Sequence, residues 1–489
     1  MTKNDFFTAL PSNISALVIA EYLQLADIVH LDTAFCGKDA RSRFLALYRE
    51  DGCVLKIKQH SVITFTIPTF LWLASRSLSV QGISLHKTWN QSFTDKLVAY
   101  AKDCGKKIMF FHPALDRGDM MSVVQLKSIV KQCPGLAMLI GIPDTFVTAH
   151  TMKVVRESNP KLMSLTVFQE EGSYSSADLS ALTALVEGGL PTMQHLRIPL
   201  SEDLATTLVV AAQNCPNLET VEVKNYCADE IELSNGDGIL AALSECVNLE
   251  TLVLAGHTVT DVGLRALSSK CTKLRVLELT DNADATADGF EALSKGCLGL
   301  TELRLPNIQA RQGVPRFITT QFLHLQKLAL RCGTALRDED ICHLATTCPK
   351  LIDIDLYMCV NLGDASVCAL SMGCPSLKKL NIEGLQFTDA TFAQLAQTST
   401  NLTHLMCSPQ EPFDEREGVT AAFTHLTKLQ HINVERSNLF NDPDVVATLL
   451  ENCPQLNTVE TMFAEVCQEI MELMRDASFQ YYGDGIFER

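Results

Sequence analysis

A short phrase recurs about every 26 residues along most of this 489-residue chain, and it limits the possible folds more than any other feature. The phrase reads Cys-x-x-Leu-x-x-Leu-x-Leu, and its clearest copies begin at Cys215, Cys246 and Cys271. A single unit of this length cannot bury its own apolar face, so neighbouring units must stack on each other. The chain is therefore predicted to be a repeat solenoid. Further copies, several of them weaker, are centred on these residues: Leu136, Leu162, Met193, Leu300, Leu325, Leu351, Leu377, Leu402, Leu429 and Leu456.

One unit shows how each repeat is expected to fold. Leu252 and Leu254 alternate with other residues at period two, which predicts a short strand with both leucines buried. Asp261 then precedes Leu264 and Leu267 at helical spacing, a pattern typical of an acidic N-cap before an amphipathic helix. Each unit is thus predicted to contain a strand, a turn and a helix. The same aspartate spacing occurs at these positions: Asp237, Asp338, Asp364 and Asp389.

This pattern resembles the cysteine-containing subfamily of leucine-rich repeats. The turns Val259-Thr260-Asp261 and Phe387-Thr388-Asp389 match that subfamily, and Cys359 supplies its inner cysteine. The resemblance implies an α/β fold, a right-handed leucine-rich-repeat solenoid or horseshoe with parallel strands on the concave side and helices on the convex side. It covers about residues 125–465.

The residues on either side of these repeats are predicted to be caps. Residues 51–124 are interpreted as irregular N-terminal repeats or a cap, with eroded strands at Ile83–Leu85 and Ile108–Phe110 and a capping strand at Leu55–Ile57. Residues 466–489 are interpreted as a C-terminal cap and tail, which begins with an apolar helical stretch. Solenoids need such caps to cover their terminal repeats.

Residues 8–50 do not follow the repeat, and their apolar spacing predicts three short helices. On periodicity alone, these helices would be an N-terminal cap for the solenoid. They also resemble the F-box, although Asn13 stands where that motif usually has a glutamate. The resemblance implies docking on a Skp-family adaptor of a cullin complex. The residues that match the motif, and so the candidate adaptor-binding residues, are Leu10, Pro11, Ile14, Val18, Tyr22, Leu23, Leu25, Ile28 and Cys36.

Side chains that alternate with the buried leucines should point out of the strand side of the repeats. Their charges alternate in bands, which suits a protein partner because complementary charge fixes specificity and register. A solvated face with no partner is the alternative for any one of them. Arg304, Lys327 and Arg331 are expected to form one basic band beside Asp353 and Asp355. The full set of candidate substrate-binding residues is Glu278, Glu302, Arg304, Lys327, Arg331, Asp353, Asp355, Tyr357, Lys379, His404 and Met406.

The composition argues against several classes of partner and compartment. A net charge of −17 disfavours nucleic acid, whose binding needs a basic stripe, and an anionic membrane surface. The early apolar run is interrupted by Glu21, so no secretory signal is expected. Eighteen cysteines without such a signal indicate free thiols in a reducing compartment, the cytoplasm or the nucleus.

The sequence offers no motif for catalysis, a metal or a cofactor. It contains no Cys-x-x-Cys pair, no P-loop and no His-Glu-x-x-His, and the glycines around Gly236 follow no strand directly, as a dinucleotide fingerprint would. Eight cysteines share one repeat position and are interpreted as small buried hydrophobic residues. They are Cys133, Cys215, Cys246, Cys271, Cys297, Cys348, Cys374 and Cys453.

Two functions follow from the sequence. In the first, the chain is the substrate-recognition subunit of a cullin-type ubiquitin ligase (SCF), in which the F-box docks the adaptor and the repeats bind a protein substrate. In the second, it is a non-enzymatic leucine-rich-repeat scaffold whose first helices only cap the solenoid. In neither case does the chain itself act as an enzyme.

Overall fold

A computed structural model describes residues 64–65, 70–71, 74–75, 80, 82–85, 91–113, 121–169, 179–201, 204–224, 236–280, 284–306, 314–408, 416–435, 439–461, 467–483 and 485–489. The module predicted at residues 8–50, with all nine adaptor-binding candidates, and the capping strand predicted at Leu55–Ile57 lie outside the described residues. The chain divides into two compact units, Met1–Ala228 and Asp229–Arg489. Each unit is described by itself below, and the predicted domain boundaries stay predictions.

The N-terminal unit is a run of strand–helix repeats. Its strands pair in parallel, each with the next along the chain. The strands are β1 (Thr64–Phe65), β2 (Gly82–Leu85), β3 (Phe110–His112), β4 (Met138–Pro143), β5 (Ser164–Phe168), β6 (His195–Pro199) and β7 (Thr220–Lys224). The helices are α1 (Gln91–Cys104), α2 (Val123–Gln132), α3 (Ala149–Ser158), α4 (Thr183–Val186) and α5 (Leu204–Asn214).

The C-terminal unit continues the same strand–helix grammar. Its strands from β8 to β16 also pair in parallel, each with the next. The strands are β8 (Thr251–Leu254), β9 (Val276–Leu279), β10 (Glu302–Arg304), β11 (Lys327–Ala329), β12 (Asp353–Asp355), β13 (Lys379–Asn381), β14 (His404–Met406), β15 (His431–Asn433), β16 (Thr458–Glu460), β17 (Gln480–Tyr481) and β18 (Ile486–Glu488). The helices are α6 (Gly236–Leu243), α7 (Asp261–Lys270), α8 (Ala287–Gly296), α9 (Val314–Gln321), α10 (Asp338–Thr347), α11 (Asp364–Gly373), α12 (Asp389–Thr398), α13 (Glu417–His425), α14 (Pro443–Asn452) and α15 (Gln468–Asp476).

One apolar residue at the centre of each parallel strand forms a buried ladder. In the C-terminal unit, Leu277 pairs with Leu252 on one side and with Leu303 on the other, and all three are fully buried. The same register continues to the end of the parallel strands, through Leu328, Ile354, Leu380, Leu405, Ile432 and Val459. The predicted α/β leucine-rich-repeat fold is therefore confirmed.

The column of eight cysteines is buried, as predicted. These residues stand at the end of the repeat helices, where Cys271 and Cys297 occupy the C-cap positions of α7 and α8. The Cys297 thiol donates to the carbonyl of Cys271, at an Sγ···O distance of 3.4 Å. Burial raises the pKa of Cys297 to about 12, so this thiol stays protonated at neutral pH. The thiols of Cys348, Cys374 and Cys453 likewise donate to a carbonyl of the preceding repeat, so these cysteines fill the corner of the repeat and satisfy a backbone acceptor.

The aspartate interpreted as an N-cap has a different role. Thr260 caps α7, since its side chain accepts from the backbone N–H of Val262 at 3.1 Å. The Asp261 carboxylate instead accepts from the backbone N–H and the hydroxyl of Thr286 in the next repeat, at 2.7 and 2.6 Å. Because the preceding threonine already occupies the N-cap position, the aspartate is free to bond the following repeat. The N-cap interpretation of Asp261 was therefore wrong.

Two elements at the ends of the repeats differ from what the sequence predicted. The strand expected at Ile108–Phe110 begins two residues later, because Phe111 is the residue that pairs with Ile83 in the buried ladder. After α15 the chain forms a hairpin that was not predicted, in which β18 pairs antiparallel with β16 and β17 pairs with β18. This hairpin closes the last parallel strand. Among the described residues, no helix is long and apolar enough to cross a membrane.

Candidate partner-binding surface

The side chains that flank the buried ladder in the C-terminal unit form one surface, which we call the strand face. Residues one position before and one position after each buried ladder residue project to the opposite side of the strand. Two aligned rows result, and a third row follows two residues beyond each strand. The first row is Glu302, Lys327, Asp353, Lys379, His404, His431 and Thr458. The second row is Glu278, Arg304, Ala329, Asp355, Asn381, Met406, Asn433 and Glu460. The third row is Arg331, Tyr357, Glu383, Ser408 and Glu435.

Backbone geometry keeps the third row aligned. The N–H of Cys332 donates to the carbonyl of Tyr357, and the N–H of Met358 donates to the carbonyl of Glu383, both at 2.8 Å. Cys332 and Met358 both have positive φ, 55° and 57°, and Gly384 follows at 76° in the next repeat. A residue in the left-handed conformation thus turns the backbone in the same way in each of these repeats. The side chain just before it therefore occupies the same place in successive repeats.

The structure brings eight of the eleven predicted substrate-binding residues around one cavity of about 330 Å³. Pro306, Leu328 and Ala329 complete its lining. The eight predicted residues are Glu278, Arg304, Lys327, Arg331, Asp353, Asp355, Lys379 and Met406. Whether this cavity binds a substrate stays a prediction.

The other three candidates adjoin residues of this surface. Glu302 is nearly buried and contacts Arg304 and Lys327. The Tyr357 ring is 38% exposed, with the Arg331 guanidinium 6.0 Å from its centroid. His404 stacks on His431, with the ring centroids 5.6 Å apart.

The three cations expected to form a basic band lie around this cavity, but each one is ion-paired. Arg304 lies 2.6 Å from the Glu302 carboxylate and 3.4 Å from that of Glu278, and the Lys327 ammonium lies 3.0 Å from Glu302. Arg331 forms a separate pair with Asp355 at 2.6 Å. The positive charge on this side of the strand face is therefore balanced locally, which the sequence alone did not indicate.

Asp353 lies in the first row between Lys327 and Lys379. Burial raises the pKa of its carboxyl group, and the nearby charges of Lys379, Lys327 and Arg304 act in the opposite direction. The row thus alternates in sign from Glu302 to Lys379. Alternation of this kind keeps neighbouring side chains in fixed positions through mutual attraction.

Three glutamates, Glu383, Glu435 and Glu460, lie on the part of the strand face that runs from β13 to β16. Burial raises the pKa of Glu383 to about 7, with further increases from the charges of Glu435, Asp355 and Glu460, while Arg331 opposes them. Glu383 Oε1 is buried, and the described residues offer it no hydrogen-bond donor. The amide of Asn433 donates to Glu460 at 2.9 Å and to Glu435 at 3.4 Å, which holds these two carboxylates side by side.

The sequence also contained the signal for Glu460, which was not among the candidates. Thr458, Val459 and Glu460 follow Leu456 at the same spacing as the other strands, and Val459 is a member of the buried ladder. Extending the pattern by one repeat would therefore have placed Glu460 on the strand face. Its importance depends on Glu383 and Glu435, which come close to it only in the folded chain.

The histidines on this half are poorly suited to carry charge. Burial lowers the pKa of His404, and the positive charge of Lys379 and the neighbouring His431 lower it further. Burial also lowers the pKa of His431, although the Glu460 carboxylate, 3.9 Å from its Nε2, favours protonation. The lowered pKa values favour the neutral form of both rings, so the rings do little to balance the glutamates. Within the described parts of the chain, no group of three or more His, Cys, Asp or Glu side chains is arranged to hold a metal ion.

The chain is similar in sequence to two proteins named as F-box/LRR-repeat proteins. No family model matches the chain. It is 29% identical over 167 residues to F-box/LRR-repeat protein 4 of Bos taurus, which covers 33% of this chain and 26% of that protein. It is 23% identical over 289 residues to F-box/LRR-repeat protein 17 of Arabidopsis thaliana, covering 54% and 43% respectively. The chain thus spans less than half the length of these curated relatives, and they confirm the predicted resemblance to F-box/leucine-rich-repeat proteins.

Two solved structures are also similar. One is a chain of the yeast Rad7–Elc1 complex, with a TM-score of 0.45 and 15% identity over 94% of this chain and 90% of that one. The other is an internalin (inlF) from Listeria monocytogenes, with a TM-score of 0.38 and 17% identity over 69% of this chain and 88% of that one.

Proposed function

We propose that this chain is the substrate-recognition subunit of a cullin-type ubiquitin ligase. Residues 8–50 dock a Skp-family adaptor, and the strand face holds a protein substrate. The chain then contributes proximity, which raises the effective concentration of the substrate at the transfer site, and performs no covalent step itself. The proposed place of action is the cytoplasm or the nucleus.

The observation that carries this proposal is the strand face itself. In the described repeats, helices cover one side of the strands, whereas the other side carries charged, aromatic and amide groups held in register. Interfaces between proteins combine such polar groups with tyrosine, methionine and arginine. Tyr357, Met406 and Arg304 occur here among ion pairs that fix their positions. This composition suits a protein partner better than a small apolar ligand.

The resemblance to F-box/leucine-rich-repeat proteins supports the adaptor half of the proposal. The competing function is a leucine-rich-repeat scaffold whose N-terminal helices only cap the repeats. The two functions differ in one property, because only a receptor subunit needs to bind the Skp-family adaptor.

The deciding experiment is a pull-down of the full chain with purified Skp-family adaptor. Wild type should bind, and Pro11→Ala combined with Ile14→Ala should abolish binding while leaving the melting temperature unchanged. Ser12→Ala with Ser15→Ala, at neighbouring polar positions outside the matched motif, is the control and should bind normally. If the full chain does not bind the adaptor, or if the apolar double variant only lowers the melting temperature, the scaffold function replaces this proposal.

A further inference from the structure

The strand face is divided into a balanced half and an unbalanced half. On the strands from β9 to β12, four acidic side chains face four basic ones when Lys379 of the adjacent strand is included. Most of these charges are paired at close range: Arg304 with Glu278 and Glu302, Lys327 with Glu302, and Arg331 with Asp355. A partner therefore gains little from adding charge there, because six of these eight groups already have a counter-ion and the numbers of positive and negative groups are equal.

Among the described residues, the glutamates of the other half form no ion pair with a lysine or an arginine. From the end of β13 to β16, the three rows contain Glu383, Glu435 and Glu460, and after Lys379 the described residues of these rows include no lysine or arginine. The amide of Asn433 bridges Glu435 and Glu460, but an amide carries no positive charge. The perturbed pKa of Glu383 supports this picture, since it reflects burial together with three like charges.

From this asymmetry we propose that the strand face docks an extended protein segment whose lysine or arginine side chains lie over Glu383, Glu435 and Glu460. The inference rests on the proposed function and specifies the chemistry of the substrate. Basic side chains would supply the positive charge that the described residues of these rows do not, and they would pair with carboxylates such as that of Glu460, whose side chain is 29% exposed. Complementary charge of this kind fixes the register and orientation of a bound segment.

The geometry also specifies the spacing and the neighbours of the basic residues. Glu383 and Glu435 lie two strands apart, about 10 Å, which an extended segment covers in about three residues. Towards β12, the segment would meet Tyr357 and Met358, which are 38% and 39% exposed. An apolar side chain in the partner, on the side away from its basic residues, would pack there. The expected substrate segment therefore carries an apolar residue followed or preceded by two or more spaced basic residues.

Selection from a phage-displayed library of random peptides about twelve residues long tests this inference, because that is about twice the length needed to cross from β12 to β16. The full chain should select peptides enriched in lysine and arginine. Glu383→Gln with Glu435→Gln should weaken their binding by about tenfold or more. Glutamine keeps the shape of glutamate, so a melting temperature no lower than that of wild type will show that the fold is intact.

Glu451→Gln with Glu472→Gln is the matched control. Both residues are exposed on α14 and α15 and are not on the strand face, and the control removes the same charge from the same unit. It should bind the selected peptides like wild type. Acidic or neutral peptides, no selected peptides, or equal losses in the two double variants would each overturn the inference.

The peptide experiment and the adaptor pull-down can fail independently, so a failure of this inference can be told apart from a failure of the proposed function. If the adaptor binds but no basic peptide depends on Glu383 and Glu435, only the inferred substrate chemistry is wrong. If basic peptides bind in this way but the adaptor does not, the docking surface stands and the ligase role is wrong.

Discussion

The carboxylate of Asp237 joins its own repeat to the next through Thr260. It accepts from the backbone N–H of Thr260 at 2.9 Å and from the hydroxyl at 2.6 Å, and it also accepts from the N–H of Gly263 at 3.0 Å. Asp261 repeats this arrangement with Thr286, and Asp364 repeats it with Thr388. One carboxylate thereby accepts hydrogen bonds from backbone N–H groups at the start of the following helix. Those N–H groups have no carbonyl acceptor within their own helix.

Asp261→Ala should destabilise the chain by about 2 kcal/mol or more, because it removes charge-assisted hydrogen bonds and leaves part-buried donors of Thr286 without an acceptor. Asp288→Ala in the next helix is the control, since that side chain is 77% exposed. Thermal or chemical unfolding followed by circular dichroism will measure both. Equal destabilisation by the two variants would contradict the role given to Asp261.

Asp261 should also make the stability of the chain depend on pH in the acidic range. Burial opposes ionisation of Asp261, but hydrogen bonds from Thr286 and the charge of Arg265 prevail and hold its pKa below the usual value. A pKa lowered on folding gives stability that is present above the unfolded value, about 3.9 for aspartate, and is lost as pH falls through the folded value. Asp261→Asn should therefore reduce the loss of stability below about pH 4, as seen in melting temperatures across that range. A variant that loses stability as steeply as wild type would show that this carboxylate is not responsible.

Glu383 should give the stability of the chain the opposite dependence on pH from that caused by Asp261. Its folded pKa of about 7 lies above the unfolded value, so its contribution to stability is fully present below about pH 4 and is lost as pH rises through 7. Glu383→Gln should raise the melting temperature at pH 8 and have little effect at pH 4. Glu451→Gln, on an exposed helical position, should show no such dependence on pH.

The buried ladder predicts a sharp contrast between adjacent positions. Leu277 is fully buried, so Leu277→Asp places a charge without a partner in an apolar interior and should cost several kcal/mol. Glu278→Ala changes the next residue, which faces the other side of the strand, and should cost far less. Melting temperatures of the two variants will check the register, and similar shifts would mean that the register is wrong.

Charge reversal on the balanced half of the strand face should also weaken the binding of a substrate. Arg304→Glu with Lys327→Glu turns two partners of Glu302 into like charges, which breaks the ion pairs that fix this part of the surface, so the loss in binding should reach about 2 kcal/mol or more. Adaptor binding should be unchanged. Proximity labelling in cells will compare this variant with Lys270→Glu and Lys273→Glu, which reverse two exposed lysines whose partners are Glu245 and Asn248. A labelling profile that responds equally to both pairs would place the substrate elsewhere.

The repeat, its strands and its buried cysteines were predictable from the sequence, because they depend on local spacing. Leu252 and Leu277 are buried for the same reason that they recur, since each unit has one apolar face and only its neighbours can cover it. The rows of the strand face follow from that register, and eight of the candidate residues line one cavity.

Which charges face each other was decided by the tertiary structure. Glu302 and Lys327 are 25 residues apart and meet only because adjacent strands align, and Asp261 reaches Thr286 for the same reason. The terminal hairpin likewise depends on β16 offering an edge that β18 can pair with. Sequence periodicity determines which side of a strand a residue occupies. Electrostatic compensation depends on distances between repeats, and those exist only once the repeats have stacked.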